Sequence, residues 1–441
     1  VRSDLFDGTR IADPAIIMSP FRPAVLTALL AAGLAAPADA AVRLTTSVNG
    51  SVVELAWPQT AFPIGYKMDQ RLVGALGGVN AIERGFEAWS AIPNTRVAFR
   101  GDGTSSGLRA AKDGQNVITV ADDLFDNQRA VAITTNWDDR GVLIESDIQI
   151  DPEMIGGVYN IQQAITHEIG HLLGLDHSGV LSAVMYPFVS RGNADVELDS
   201  DDRVAIAAMY SAVDETRLGG ALRGRVAGDG GGIFAAQVVA MNERGEAVAT
   251  ALTNSAGEFT LTGLPEGDYR IYAEPLDGPV DTRNLSPYWR QGNASSFPTQ
   301  FFEGGAVTVR NGQVTGNLFV NTAGAVELNP RWIGVGQRGA STFTLSATAP
   351  YVRTGQIVAI AVAGDGMTPG VTTYEIVSPG LRRVSDFRYA GNYVYADWEV
   401  AADAPPGSMV VLVRRGNDTA ALTGALRLQN GAGSRSRIAR R

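Results

Sequence analysis

A chain of 441 residues with no cysteine and a formal net charge of -10 at pH 7 is long enough for several domains. Its acidity argues against a non-specific nucleic-acid binder and supplies no polybasic signal for an anionic membrane. The missing cysteines exclude a disulfide framework, a thiol nucleophile and a cysteine-based latency switch.

Residues 1–40 read as an N-terminal extension and a secretory signal. Arg22 precedes the apolar run "PAVLTALLAAGLAAPADA", whose small residues Ala38 and Ala40 place a cleavage before Ala41. Met18 is a natural start for such a signal. The run is short for a membrane helix, and no later run suggests an anchor. A secreted, extracellular protein of the kind bacteria export is therefore expected.

From Val42 to about Tyr210, strand-like and helix-like segments alternate. "SVVELAW" and "IGYKMD" read as strands, and "GGVNAIERGFEAWSAI" as a helix with Ile82, Phe86 and Trp89 on one side. "TRVAFR", "NVITVAD" and "GVLIESDIQID" add strands. A helix around "YNIQQAITHEIGHLL" follows, and Asp199 or Ser200 can cap a last helix through "DDRVAIAAMY". Residues 41–212 thus read as an α+β catalytic unit with one histidine-bearing helix.

All three histidines of the chain fall between Ile165 and Pro187. His167 and His171, four positions apart, share a helix face. Glu168 follows the first of them, so its carboxylate reaches the edge of the same site, which suits metal-assisted hydrolysis. On a continued helix His177 would lie about 9 Å further along the axis and roughly 240° around it, out of reach. Gly174 resolves this, because glycine tolerates the left-handed backbone that ends a helix and redirects the chain. The turn can return His177 and complete a three-nitrogen metal site with one position left for water.

After "DETRLGGALRG" the helical pattern gives way to short β segments: "ALRGRVAG", "FAAQVVAMN", "AVATALTNSAGEFTLTGL" and "GDYRIYAE". Residues 218–323 read as a small β-sandwich. Gly224, Asn254 through Gly257 to Phe259, and Leu264 through Gly267 to Tyr269 resemble the carboxypeptidase regulatory-like family, a resemblance that implies no carboxypeptidase chemistry. An insert, "DTRNLSPYWRQGNASSFPTQFF", carries Tyr288, Trp289, Phe297, Phe301 and Phe302, as a ligand-facing surface or, the preferred reading, as cover for the sandwich core. Residues 325–430, with "STFTLSATA", "QIVAIAVAG", "YVYADWEV", "MVVLVRRG" and "ALRLQN", suggest an immunoglobulin-like sandwich. Residues 431–441, with Arg435, Arg437, Arg440 and Arg441, form a basic, solvated tail.

His167, Glu168, His171, Gly174, His177 and the downstream Met185 together resemble the matrixin branch of the metzincin zinc endopeptidases. The resemblance covers roughly residues 42 to 211. It implies zinc on the three histidines, a Met-turn at Ala183–Pro187 in which Met185 supports the site without ligating, and a final helix with Leu198, Asp201, Asp202 and Tyr210 that braces the turn. Ser178 is the residue matrixins commonly place after the third ligand. Pro187 stands where astacin-like and serralysin-like proteins place a zinc-reaching tyrosine, so Tyr186 reads as a packing or pocket residue. No fourth histidine is present for a separate structural zinc. The resemblance also implies an extended substrate beside a sheet edge, with Gly141–Ile148 and Ala130–Thr134 as supports and Leu181, Val184 and Tyr186 shaping a specificity pocket. Calcium is a further candidate, with oxygen ligands from Asp138, Asp139, Asp147 and Asp151, against solvated acidic loops as the alternative.

The expected activity is a secreted zinc endopeptidase in which Glu168 is the general base. Its partners are a protein or peptide substrate, with the β-sandwiches as candidate binders of substrate, cell surface or another extracellular ligand. The competing reading is an extracellular binding or structural protein that keeps an inactive zinc-binding metzincin unit.

Overall fold

The computed structural model describes residues 10–11, 42–73, 78–121, 130–152, 159–190, 196–291 and 296–430. The signal-like segment and the basic tail lie outside the described residues, apart from Arg10–Ile11, which pairs in parallel with Thr344–Leu345. No described helix is long and apolar enough to cross a membrane.

The first unit opens with a hairpin, β1 (Thr45–Val48) and β2 (Ser51–Glu54). It continues with β3 (Ile64–Asp69), α1 (Gly78–Ser90), β4 (Phe99–Ser105), β5 (Val117–Val120), β6 (Ala132–Asp139) and β7 (Val142–Ile150). Two helices complete it, α2 (Ile161–Leu172) and α3 (Ser200–Met209). Its five-stranded sheet runs β4-β3-β5-β7-β6, parallel throughout except for the antiparallel edge strand β6. Spacings of four and three put Ile82, Phe86 and Trp89 of α1 on one buried stripe. That stripe meets α2, where the Trp89 indole donates to Thr166 O at 2.8 Å. α2 packs against both α1 and the sheet, with Ile165, Ile169 and Leu172 in a shared core.

The second unit contains β8 (Gly220–Gly228), β9 (Gln237–Asn242), β10 (Ala247–Leu252), β11 (Glu258–Leu264), β12 (Gly267–Glu274), β13 (Gln300–Val309) and β14 (Val314–Asn321). β8 pairs with β11 and with β14, while a second sheet runs β10-β9-β12-β13. Leu222, Val226 and Leu261 of the first sheet share a core with Val238, Ala240 and Ile271 of the second. Phe297 is buried in that core, and Phe302 packs against it. Trp289, Tyr288 and Phe301 lie against neighbouring cores, so the insert's aromatic residues pack inward.

The third unit is built on β15 (Asn329–Gln337), β16 (Gln356–Asp365), β17 (Thr373–Ile376), β18 (Tyr393–Val400), β19 (Gly407–Arg415) and β20 (Asp418–Gln429). One sheet places β16 between β15 and β18, and the other places β19 between β17 and β20. The core of this unit continues into the other two, taking in Leu181, Tyr186 and Phe188 of the first and Leu252, Leu285 and Trp289 of the second. The segment that follows the third histidine is thus enclosed by β-rich structure.

Candidate metal centre

Asn160 starts α2, its side chain accepting Gln163 N–H at 3.1 Å. His167 and His171 sit one turn apart on the buried side. After Leu172 the helix closes, with Leu173 N–H on Ile169 O at 3.0 Å and Leu175 N–H on Gly170 O at 3.0 Å. Gly174 has φ +97°, and a Cβ there would lie 2.6 Å from Leu55 O, so both the turn and the close approach need glycine. Asp176 N–H then donates to Val42 O at 2.8 Å, and the chain brings His177 alongside the helix pair. Ring centroids are 4.6 Å apart for His167 and His171, 5.0 Å for His167 and His177, and 4.8 Å for His171 and His177.

Each ring meets a backbone carbonyl through Nδ1: His167 with Val184 O at 2.7 Å, His171 with Leu175 O at 2.8 Å, and His177 with Asn284 O. A carbonyl oxygen only accepts, so each Nδ1 carries the proton and each Nε2 keeps its lone pair. Nε2 of His167 and Nε2 of His171 are 3.0 Å apart, and His177 Nε2 is buried without a hydrogen-bond partner. Two lone pairs at that distance repel unless a cation lies between them. Tetrahedral zinc at about 2.0–2.1 Å from each nitrogen would need them about 3.3 Å apart, so the donor set fits that ion. Among the described residues, this trio is the grouping of metal-capable side chains that comes together. Burial and the neighbouring imidazoles pull His167 and His177 well below the ordinary histidine range, and burial brings His171 down to about 4, so the rings are neutral at pH 7, the form able to hold a metal.

Glu168 is 1% exposed. Its Oε2 accepts the Thr134 hydroxyl at 2.5 Å, from the edge strand β6. Burial pushes its carboxyl up to about 8, against the lowering effect of the Thr134 bonds. Met185 lies beneath α2, where its sulfur would be 2.2 Å from a Cβ added to Gly170. Asp202 of α3 fixes the turn by accepting Val184 N–H at 2.7 Å and Met185 N–H at 3.1 Å, and it also closes the capping box with Asp199. Asp201 joins the Ser178 hydroxyl, at 2.7 Å, to Thr250 N–H of β10, at 2.7 Å. Tyr210 donates to Leu173 O at 2.5 Å, and Leu198 is buried in the same core.

Other sequence-selected residues fall elsewhere. Leu181 and Tyr186 lie in the core shared with the β-rich units, and Val184 lies in the core of the first unit. Leu181 and Val184 also line a small cavity with Gln163, Tyr351 and Arg427. Asp138, Asp139, Asp147 and Asp151 do not converge. Asp138 accepts Gly141 N–H at 2.9 Å in the β6–β7 hairpin, and Asp139 is exposed. Asp147 is buried, and its oxygens accept Val117 N–H and Ala111 N–H, both at 2.9 Å, which pins the loop before β5. Sequence reasoning missed the direct bond from Thr134 to Glu168, and it missed Asp176 and Asn284 altogether.

Residues 79–211 match the family described as Matrixin, and residues 221–284 match the Carboxypeptidase regulatory-like domain. Metalloendoproteinase 5-MMP of Arabidopsis thaliana is 41% identical over 75 residues, 17% of this chain and 18% of the relative. Interstitial collagenase of Oryctolagus cuniculus is 30% identical over 136 residues, 30% of this chain and 28% of the relative. The chain therefore spans less than a third of the length of these two curated relatives. The major pilin subunit of Bacillus cereus aligns over 46% of this chain and 66% of its own, at 12% identity and a TM-score of 0.15, too low to bear on the fold. Matrixins are zinc-dependent, and the plant relative is named as a metalloendoproteinase. The chain contains a matrixin domain at residues 79–211, followed by a carboxypeptidase regulatory-like domain at residues 221–284.

Proposed function

We propose that this protein is a secreted zinc endopeptidase, with His167, His171 and His177 as ligands, Glu168 as general base and Met185 as support. The reading includes an α+β metzincin unit over residues 41–212 and β-sandwiches over 218–323 and 325–430. The observation that carries it is the convergence of three buried imidazoles, each with its Nδ1 engaged by a carbonyl, beside a buried carboxylate anchored by Thr134.

Zinc, when bound, supplies a Lewis acid that acidifies water and polarises a peptide carbonyl. The chain's own residues do the rest. Glu168 takes the proton from the attacking water and returns it to the leaving amine. Thr134 holds the carboxylate, and the three backbone carbonyls hold the imidazoles in one tautomer and one orientation. The substrate is a peptide or protein, received beside β6.

The test combines metal analysis with a peptide-library digest of the chain from Ala41 onward. About one zinc per chain is expected, with internal cleavage that a chelator abolishes and added zinc restores. Glu168→Gln should retain the zinc and slow cleavage by roughly 10²- to 10⁴-fold. Cleavage by that variant at the wild-type rate would remove Glu168 from the mechanism. A zinc-loaded wild type that cleaves nothing in the library would favour the inactive binding module. The same metal analysis reads calcium.

A further inference from the structure

The imidazole of the third histidine takes its hydrogen bond from outside its own domain. Its Nδ1–H donates to Asn284 O, 107 residues further along the chain, in the segment between β12 and β13. That carbonyl sits at the end of a single turn, Thr282–Asn284, which is locked at both sides. Asp281 accepts Arg283 N–H at 2.8 Å, and Asn284 Oδ1 returns to Asp281 N–H at 3.0 Å. Buried Val280, Leu285 and Trp289 anchor the flanks of the turn.

What joins this turn to the ligand loop is Asp176. Its Oδ1 accepts His177 N–H at 2.8 Å, and its Oδ2 accepts Ser286 N–H at 2.7 Å. One carboxylate thus fixes the backbone of the third ligand and the backbone two residues past the carbonyl that this ligand needs. At 2% exposure Asp176 has no solvent role that would compete with this one. Its cost of burial is offset by two charge-assisted bonds, of which the one from Ser286 N–H would be lost if the segments parted.

We propose that Asp176 is a positioning residue of the metal centre: it clamps the 281–286 segment of the following unit onto the third-ligand loop, so that Asn284 O orients His177 and the centre is completed across two units. The proposal rests on the zinc reading given above. A hydrogen bond behind a metal-bound imidazole sets its tautomer and ring angle, and losing such a bond typically costs about 10- to 100-fold in metal affinity. Here that bond depends on a segment outside the matrixin domain.

The test uses the full chain freed of metal. Nitrogen-15 imidazole spectra of the wild type should show His177 protonated at Nδ1. Asp176→Asn leaves one acceptor oxygen where there were two. Its zinc affinity, read by competition with a chromogenic chelator, should fall about 10- to 100-fold. Asp281→Ala, whose hydrogen bonds lie within the turn, should weaken zinc in the same direction, with the urea midpoint reporting whether each variant is folded. If Asp176→Asn fails to fold, the wild-type tautomer and Asp281→Ala decide. A wild-type His177 protonated at Nε2, or folded variants that bind zinc as tightly as wild type, would overturn the clamp. A wild type that takes up no more zinc than His177→Ala would overturn the metal reading itself.

Discussion

Thr134 donates its hydroxyl to Glu168 Oε2 at 2.5 Å from a strand, whereas the carboxylate comes from a helix, so one bond ties the proposed base to the edge of the sheet. That bond lowers the Glu168 carboxyl against the effect of burial and so favours its ionised form, and a hydrogen bond to an ionised group is worth about 1.5–3 kcal/mol, or roughly 10- to 100-fold in a rate that depends on its geometry. Thr134→Val keeps the shape and removes the donor. The expected result is full zinc content, kcat down by about that factor and KM within about twofold, measured on any peptide the wild type cleaves. The two kinds of residue at this centre differ in how legible they are. His167, His171, Gly174 and His177 could be read because their chemistry and spacing sit within one short stretch. Thr134 lies 34 residues away and looks like any inward threonine of a strand. Asn284 contributes a main-chain oxygen, which no side-chain identity encodes.

Helix α2 and the turn that carries Met185 approach so closely that the element pair tolerates little change in volume. A Cβ on Gly170 would stand 2.2 Å from Met185 Sδ and 3.0 Å from Trp89 Cζ2. Glycine to alanine inside a helix gains about 0.5–1 kcal/mol in propensity, while overpacking a core costs about 1–3 kcal/mol. Contact therefore outweighs propensity. Gly170→Ala should lower the urea midpoint, and adding Met185→Ala should show a favourable coupling between the two changes in a double-mutant cycle. Elements whose buried stripe had the period of a helix were readable, as Ile82, Phe86 and Trp89 of α1 show. "STFTLSATA" reads as a strand by composition, yet pairing there is confined to Thr344–Leu345 and a single bridge from Ser346 to Ile333. Strand β15, "NPRWIGVGQ", went unread because Pro330 and two glycines lower its strand propensity, a composition that an edge position accepts.

The three units meet on the loop between His177 and Met185. Leu181 N–H donates to Thr423 O at 2.9 Å, and Val180 and Ala183 share a core with Tyr272 of β12 and Leu412 of β19. Beneath that contact Glu274 Oε1 accepts Gln237 Nε2–H at 2.6 Å and the Thr423 hydroxyl at 2.7 Å. Burial pushes the Glu274 carboxyl up to about 7, with the charge of Asp277 adding to the rise against the lowering bonds from Thr423 and Gln237, and the Tyr272 phenol lies in the same field. A carboxyl raised in the folded state contributes fully below its ordinary value near 4.5, and its contribution is lost as pH rises through about 7. Between pH 5 and pH 8 the wild type should therefore lose more stability than Glu274→Gln, by on the order of 2–3 kcal/mol in urea titrations. Asp277, raised to about 6 by burial, acts in the same sense in both proteins. The loop also bears on how the protein can be handled. Cutting the chain after Ala212 would bare Val180, Leu181, Ala183, Tyr186 and Phe188, all at most 7% exposed in the whole molecule. That is an apolar patch of the kind soluble monomers seldom show to water. A recombinant fragment ended there would be a sticky, self-associating product unless those five side chains were recoded.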